Sequence, residues 1–68
     1  MVIFQTLDDF LQELMLNPNE IFVHHTEDRC SVYIPDREEF IFLDGDFSGS
    51  QSRVKAQVRR KLRQYGYL

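Results

Sequence analysis

The chain has 68 residues, of which 43% are hydrophobic and 28% charged, and its formal net charge is −3 at pH 7. This length has room for one domain, residues 1–68, and the composition is that of a globular domain rather than a disordered or fibrous one. No apolar run approaches the roughly 18 residues that cross a bilayer, so no membrane partner is expected. The first ten residues, MVIFQTLDDF, lack the basic leader of a signal peptide. The single cysteine, Cys30, cannot close a disulfide within the chain, which favours a reducing cytoplasm.

The modest net charge conceals a strong asymmetry along the chain. Residues 1–50 hold all eleven acids and only two arginines, a net charge of −9, whereas residues 51–68 hold six cations and no acid. The sequence therefore predicts a polarised molecule that is acidic over most of its length and basic at one end.

A first helix is predicted after the short apolar segment 2–4, which is either a small edge strand or a hydrophobic plug. Thr6 can cap the helix, and Asp8 and Asp9 suit the positive end of its dipole. Asn17 precedes Pro18 and ends the helix, because proline restricts the residue before it. One side of the helix carries a stripe of apolar residues, which comprises Leu7, Phe10, Leu11, Leu14 and Met15.

Three strands are predicted over residues 21–25, 30–34 and 40–43, and their short charged connections favour antiparallel hairpins. Alternation along the strands gives one sheet face that is mostly aromatic. If the two helices cover one face each, the aromatic side chains are core. If both helices pack on the same face, the aromatic side chains form an exposed patch for a partner, a second copy or single-stranded RNA. These side chains are Phe22, His24, Tyr33, Phe40 and Phe42.

A second helix is predicted to begin at a capping box, with Ser48 as the cap, and to run to about residue 65 before Gly66. Val54, Val58, Leu62 and Tyr65 form its apolar stripe. The fold class is therefore α+β, in the order α-β-β-β-α, with a three-stranded antiparallel sheet, an optional N-terminal edge strand and two packed helices. The expected core includes Leu11, Leu14, Val32, Ile41, Val58 and Leu62.

The segment that joins the last strand to this helix imitates a calcium loop, with Asp44, Asp46 and Ser48 in ligand positions. Such a loop needs a glutamate at its twelfth position, where this chain has Lys55. The interpretation is a strand end that leads into a capped helix, and no metal or other cofactor is expected.

His24 and His25 are adjacent in a strand, so their side chains point to opposite faces and cannot chelate one ion. Cys30 lies within a predicted strand, and no base can be assigned to it, which favours a small buried side chain over a nucleophile. No catalytic residue is predicted from these three positions.

The α-β-β-β-α order resembles double-stranded RNA-binding domains and HicA-type RNA-cleaving toxins, and the closing RRKLRQYGYL is similar to the last helix of the toxins. This likeness implies RNA binding or RNA cleavage with His24 or His25 as the acid–base group. The toxins' glycine-serine-histidine turn is absent, since Val23 precedes His24, and the Gly-Pro-x-His loop of the binding domains is Thr26-Glu27-Asp28-Arg29 here. The resemblance covers topology and about ten residues, and no family is assigned from it.

The function expected from the sequence is non-enzymatic: a small regulatory or adaptor protein that binds another protein, most readily one with an acidic surface. The alternative is a nucleic-acid binder that uses the basic helix, and less favoured is an RNA-cleaving toxin-like protein. A homodimer through the aromatic face is also open. The expected binding residues are Arg53, Lys55, Arg59, Arg60 and Arg63 on the helix and Phe22, Tyr33 and Phe42 on the sheet.

Overall fold

Seven regular segments follow one another in the computed structural model, which describes all 68 residues. The predicted α+β class and the α-β-β-β-α order are confirmed. The segment 2–4 is an edge strand rather than a plug. The segments are β1 (Val2–Phe4), α1 (Leu7–Leu16), β2 (Phe22–His25), β3 (Arg29–Ile34), a short 3-10 helix (Pro35–Arg37), β4 (Glu39–Asp44) and α2 (Gln51–Gln64).

The four strands form one sheet in the order β1-β2-β3-β4. Strands β2, β3 and β4 form the predicted antiparallel meander, with Val23 opposite Val32 and Val32 opposite Ile41. Strand β1 pairs with β2 in parallel, with Ile3 opposite Val23. A parallel pair needs a crossover connection, and α1 supplies it.

Helix α1 begins and ends where local chemistry predicts. The Thr6 hydroxyl oxygen accepts a hydrogen bond from the backbone N–H of Asp9 at 3.3 Å. Asn17, before Pro18, is the C-terminal cap, and its backbone N–H still donates to the Glu13 carbonyl at 2.8 Å. Both ends are therefore fixed by the nearest few residues.

The predicted N-terminal cap of α2 is wrong by two residues. Ser50, and not Ser48, caps the helix by accepting a hydrogen bond from the Arg53 backbone N–H at 3.3 Å. The backbone N–H of Ser48 is instead bonded to the Asp46 carboxylate at 3.1 Å. Gly49 then takes a positive φ of 103°, so the chain enters helical geometry only after Ser50.

The C-terminus of α2 stops at a glycine, as predicted. Gly66 has φ 83°, the left-handed conformation that glycine adopts without a steric penalty. Its N–H donates to the Arg63 carbonyl at 3.1 Å, and the Tyr67 N–H donates to the Leu62 carbonyl at 2.8 Å. This pair of bonds is a Schellman motif, which satisfies carbonyl groups that the helix end would leave unpaired.

One sheet face, called here the α2 face, is closed by α2. Val54, Val58 and Leu62 are fully buried against it, which confirms the predicted stripe for these three residues, whereas Tyr65, predicted as its fourth member, is exposed. Phe47, from the segment before α2, is buried in the same cluster, and Tyr67 packs against it from the other end of the helix. The strand residues of this cluster are Val23, Cys30, Val32, Ile34 and Leu43.

The opposite face, called the α1 face, is covered only in part. Phe10 is the one fully buried residue of α1, and it lies against Phe4 and His24. Leu11 is exposed, contrary to the prediction, and Leu14 is only half-buried. A helix is about 10 Å wide and strands lie about 4.8 Å apart, so one helix shields about two strands.

The two helices thus lie on opposite faces, as one of the two predicted arrangements required, yet the aromatic face is not all core. The predicted burial of Ile41 is also only partial, since this side chain lies at the margin of the α2 face. The fold leaves one half of the α1 face open, over β3 and β4.

Candidate functional site

The open half of the α1 face carries aromatic rings at the surface. Phe42 is 77% exposed and Phe40 44% exposed, while Tyr33 is half-buried between them and α1. Phe22, predicted with them as a binding residue, is 1% exposed and lies in the core, because α1 covers β2. Its ring cannot reach a partner in this conformation.

One of the two exposed rings, Phe40, is in contact with a buried ring. The Tyr33 and Phe40 ring centroids are 5.2 Å apart, and the Phe10 ring meets Phe40 edge-on at 6.2 Å. Phe10 also meets Phe4, whose ring lies 5.6 Å from Phe22. These rings therefore form one connected series from the core to Phe40 at the surface, whereas Phe42 is in no aromatic pair.

Helix α1 adds exposed side chains from its predicted apolar stripe, of which Leu11 had also been assigned to the core. Leu7 and Leu11 are exposed, and Met15 is 84% exposed. We call the set of Leu7, Leu11, Met15, Tyr33, Phe40 and Phe42 the apolar surface. Exposed apolar side chains are ordinary when they are scattered singly, whereas a contiguous patch is typical of an interface.

The second candidate region is the outward side of α2. Arg59, Arg60 and Arg63 surround Ala56 and line a shallow hollow of about 340 Å³. All three arginines are exposed, and they lie opposite the stripe that packs on the sheet. We call these residues the arginine surface. Lys55, also predicted as a binding residue, is exposed but lies outside this hollow, beside Met1 and Ile3.

Only one cation of α2 is paired within the molecule. Arg53 Nη2 lies 3.4 Å from Asp46 Oδ2, and both side chains are largely exposed. Arg37 lies over the Tyr67 ring, 4.5 Å from its centroid. Ion pairing of α2 with the acidic part of the chain is therefore limited to Arg53, and the arginine surface has no carboxylate within 4.0 Å.

The acidic segment before α2 is organised around Asp46. The Ser48 hydroxyl and backbone N–H both donate to this carboxylate, and these bonds, together with the nearby Arg53 guanidinium, lower the pKa of Asp46. No group of three or more His, Cys, Asp or Glu side chains is placed to hold a metal ion. The segment serves as the predicted link from strand end to capped helix.

The two histidines lie on opposite faces, as predicted. His24 lies on the α1 face with its ring centroid 6.1 Å from that of Phe10, and burial, followed by the charge of His25, lowers the pKa of His24. His25 lies on the α2 side, beside a hollow of about 300 Å³ lined also by Gln5 and Ser48. Both of its ring nitrogens are buried without a hydrogen-bond partner. No side chain orients either imidazole for acid–base work.

Cys30 is a buried core residue, in agreement with the prediction. It is 1% exposed, and burial raises the pKa of its thiol to about 12. A thiol with that pKa is protonated at neutral pH, and only the thiolate is nucleophilic.

Comparisons with protein-family models, with curated proteins and with solved structures each find no match. Neither helix has the length and apolar character that crossing a membrane requires. The two surfaces described above are therefore the basis on which function is argued.

Proposed function

We propose that this protein is a small non-enzymatic regulator or adaptor that acts by binding another protein. The observation that carries this proposal is the apolar surface, where Phe42 and Met15 are almost fully exposed although the chain has a complete core on the other face. Burial of apolar area is the main favourable term in protein association, and the Phe40 ring already packs against Tyr33 and Phe10. A reducing cytoplasm suits the protonated, buried thiol of Cys30.

The arginine surface supports a second contact, with an acidic protein surface. Its three guanidinium groups have no carboxylate partner in the molecule, and stability alone does not account for them, since exposed ion pairs contribute little. Arginine is also enriched among the residues that dominate binding energy. Two surfaces of different chemistry on opposite faces of the sheet are what an adaptor needs.

The alternative function, nucleic-acid binding, is favoured by the same three arginines. Their grouping around Ala56 gives a cationic footprint that points away from the acidic strands. A nucleic acid that engages four phosphates would give a log–log salt slope of roughly −3 to −4, whereas a protein partner would give a shallower one. The net charge of −9 over residues 1–50 opposes this alternative.

Affinity capture from lysate, with and without nuclease, tests the proposal. Wild-type protein is compared with Phe42→Ser, with Arg59→Glu/Arg63→Glu, and with Tyr65→Ser as a control that removes an exposed aromatic ring outside both surfaces. We expect a protein that survives nuclease and is lost with Phe42→Ser but kept with Tyr65→Ser. Loss of every partner after nuclease, together with loss in the double arginine variant, would support nucleic-acid binding instead.

A further inference from the structure

The apolar surface is shaped by the way α1 crosses the sheet. Helix α1 joins the parallel neighbours β1 and β2, and such crossovers are almost always right-handed. With Phe10 pointing at the sheet, the helical spacing of 100° per residue then turns Leu7, Leu11 and Met15 toward β3 and β4. The contact of Phe10 with Phe40 joins this flank of α1 to the open half of the sheet face. The helix flank and the open sheet face are therefore expected to form two walls of one shallow groove.

The charges around this groove are mostly negative. Helix α1 carries no cation, and the 100° spacing puts Asp8 on the same side of the helix as Leu11 and Met15, with Asp9 and Glu13 on the other flank. On the sheet, Asp44 lies on the same face as Phe42, and Arg29 is its cross-strand partner and the one cation on that face. Residues 1–50 carry a net charge of −9, and the six cations of residues 51–68 all lie on α2, which covers the opposite face of the sheet, so a ligand on the α1 face meets a surface that is negative overall.

We propose that the groove binds a basic amphipathic helix of a partner protein. This inference rests on the proposed function and names the chemistry of its partner. Apolar residues spaced i, i+3, i+4 and i+7 on the ligand would lie against Phe40, Phe42 and Leu11, as in other helix-in-groove complexes. Its lysines or arginines would lie near Asp8 and Asp44, where opposite charges favour association and orient the ligand.

A second copy of the chain fits the groove less well. A twofold contact would place two faces with the same overall negative charge against each other, and like charges across an interface are unfavourable. The basic helix α2 of a second copy cannot act as the ligand either, because Val54, Val58 and Leu62 are already buried in its own core. Charge and available apolar surface both favour a different protein.

Two synthetic helical peptides of about 18 residues test the inference, since this length gives about five turns. Both have the same leucine stripe, and one carries lysines where the other carries glutamates. Binding to the full chain is measured by fluorescence anisotropy of labelled peptide. We expect the lysine peptide to bind at least tenfold more tightly than the glutamate peptide, to lose at least tenfold in affinity with Phe42→Ser, and to bind Tyr65→Ser as it binds wild type.

Several results would overturn the inference. Equal binding of the two peptides would remove the role of charge, and binding that is unchanged in Phe42→Ser would place the peptide elsewhere. Failure of the lysine peptide to bind, or a wild-type dimer that Phe42→Ser dissociates, would also overturn it. If the lysine peptide fails while Phe42→Ser still abolishes capture of a protein from lysate, the proposed function stands and only the chemistry assigned to its partner is wrong.

Discussion

The two faces of the sheet each receive one amphipathic helix, but only one face is closed. Helix α2 has fourteen residues and buries Val54, Val58 and Leu62 completely. Helix α1 has ten residues and buries Phe10 alone. The same kind of sequence pattern therefore leads to a finished core on one side and to a half-covered face on the other.

The difference comes from what surrounds each helix. Beside α2, Phe47 and Tyr67 cover sheet area that the helix does not reach. Beside α1, no further segment covers β3 and β4, and only the Phe10 ring reaches this half, where it meets Phe40, while Phe42 stays exposed. A four-stranded sheet is wider than one helix, so extra segments decide whether a face becomes core or remains available for binding.

The largest loss of stability is expected when Phe10, the one fully buried residue of α1, is removed. Phe10→Ala is expected to lower the free energy of unfolding by about 3–5 kcal/mol, the usual range for a buried phenylalanine. Amide hydrogen exchange should then rise in both helices, because global unfolding becomes more frequent, and should rise further in α1, which loses its only fully buried residue. Equal loss of protection in both helices would show that the two faces are not separable.

A matched pair of leucine substitutions compares the two faces directly. Leu62→Ala on the closed face should lower the free energy of unfolding by about 2–5 kcal/mol. Leu11→Ala on the open face should change it by less than about 1 kcal/mol, because the side chain is already in water. Leu14→Ala should lie between the two. Urea unfolding measures all three, and similar losses for Leu62 and Leu11 would contradict the assignment of faces.

The pH dependence should report the partly covered environment of His24. Its pKa in the folded protein lies below the ordinary value of 6.5, so the unfolded chain takes up this proton first as the pH falls. Stability is therefore full above pH 6.5 and decreases as the pH falls below it. His24→Gln should flatten this decrease in urea unfolding between about pH 5 and 7, and an unchanged pH profile would count against burial of His24.

The smallest change in stability is expected from a substitution on the arginine surface. Arg63→Glu should change the free energy of unfolding by no more than about 0.5 kcal/mol, as is usual for exposed side chains without partners. Thermal unfolding of this variant beside wild type checks the expectation. A marked loss of stability would mean that Arg63 has a structural role and is not free for a partner.

The parts of the fold that depend on neighbouring residues were predictable from the sequence. The helix ends lie at Thr6, Asn17 and Gly66 as predicted, because capping and termination involve only a few adjacent groups. Alternation placed Val32 in the core and His24 and His25 on opposite faces. The exception is Ser48, which the capping pattern had assigned as the N-terminal cap of α2. Its backbone N–H is bonded to the Asp46 carboxylate instead.

The candidate surfaces were predictable only in part, since they depend on how far α1 extends across the sheet. The sequence identified the arginine residues and Phe42, but it placed Leu11 in the core and Phe22 on the binding face. A stripe of apolar residues shows that a helix has an apolar side. It does not show whether another part of the chain covers that side. Phe40 is exposed for the same reason, because α1 does not extend far enough across the sheet to cover it.

The most direct test of the account is partner binding by Phe42→Ser at equal concentrations of folded protein. The account predicts that this variant unfolds within about 1 kcal/mol of wild type, because the ring is 77% exposed, and that it no longer captures the nuclease-resistant protein partner. A folded Phe42→Ser variant that captures the same partner as wild type would contradict the claim that the open face of the sheet is the binding surface.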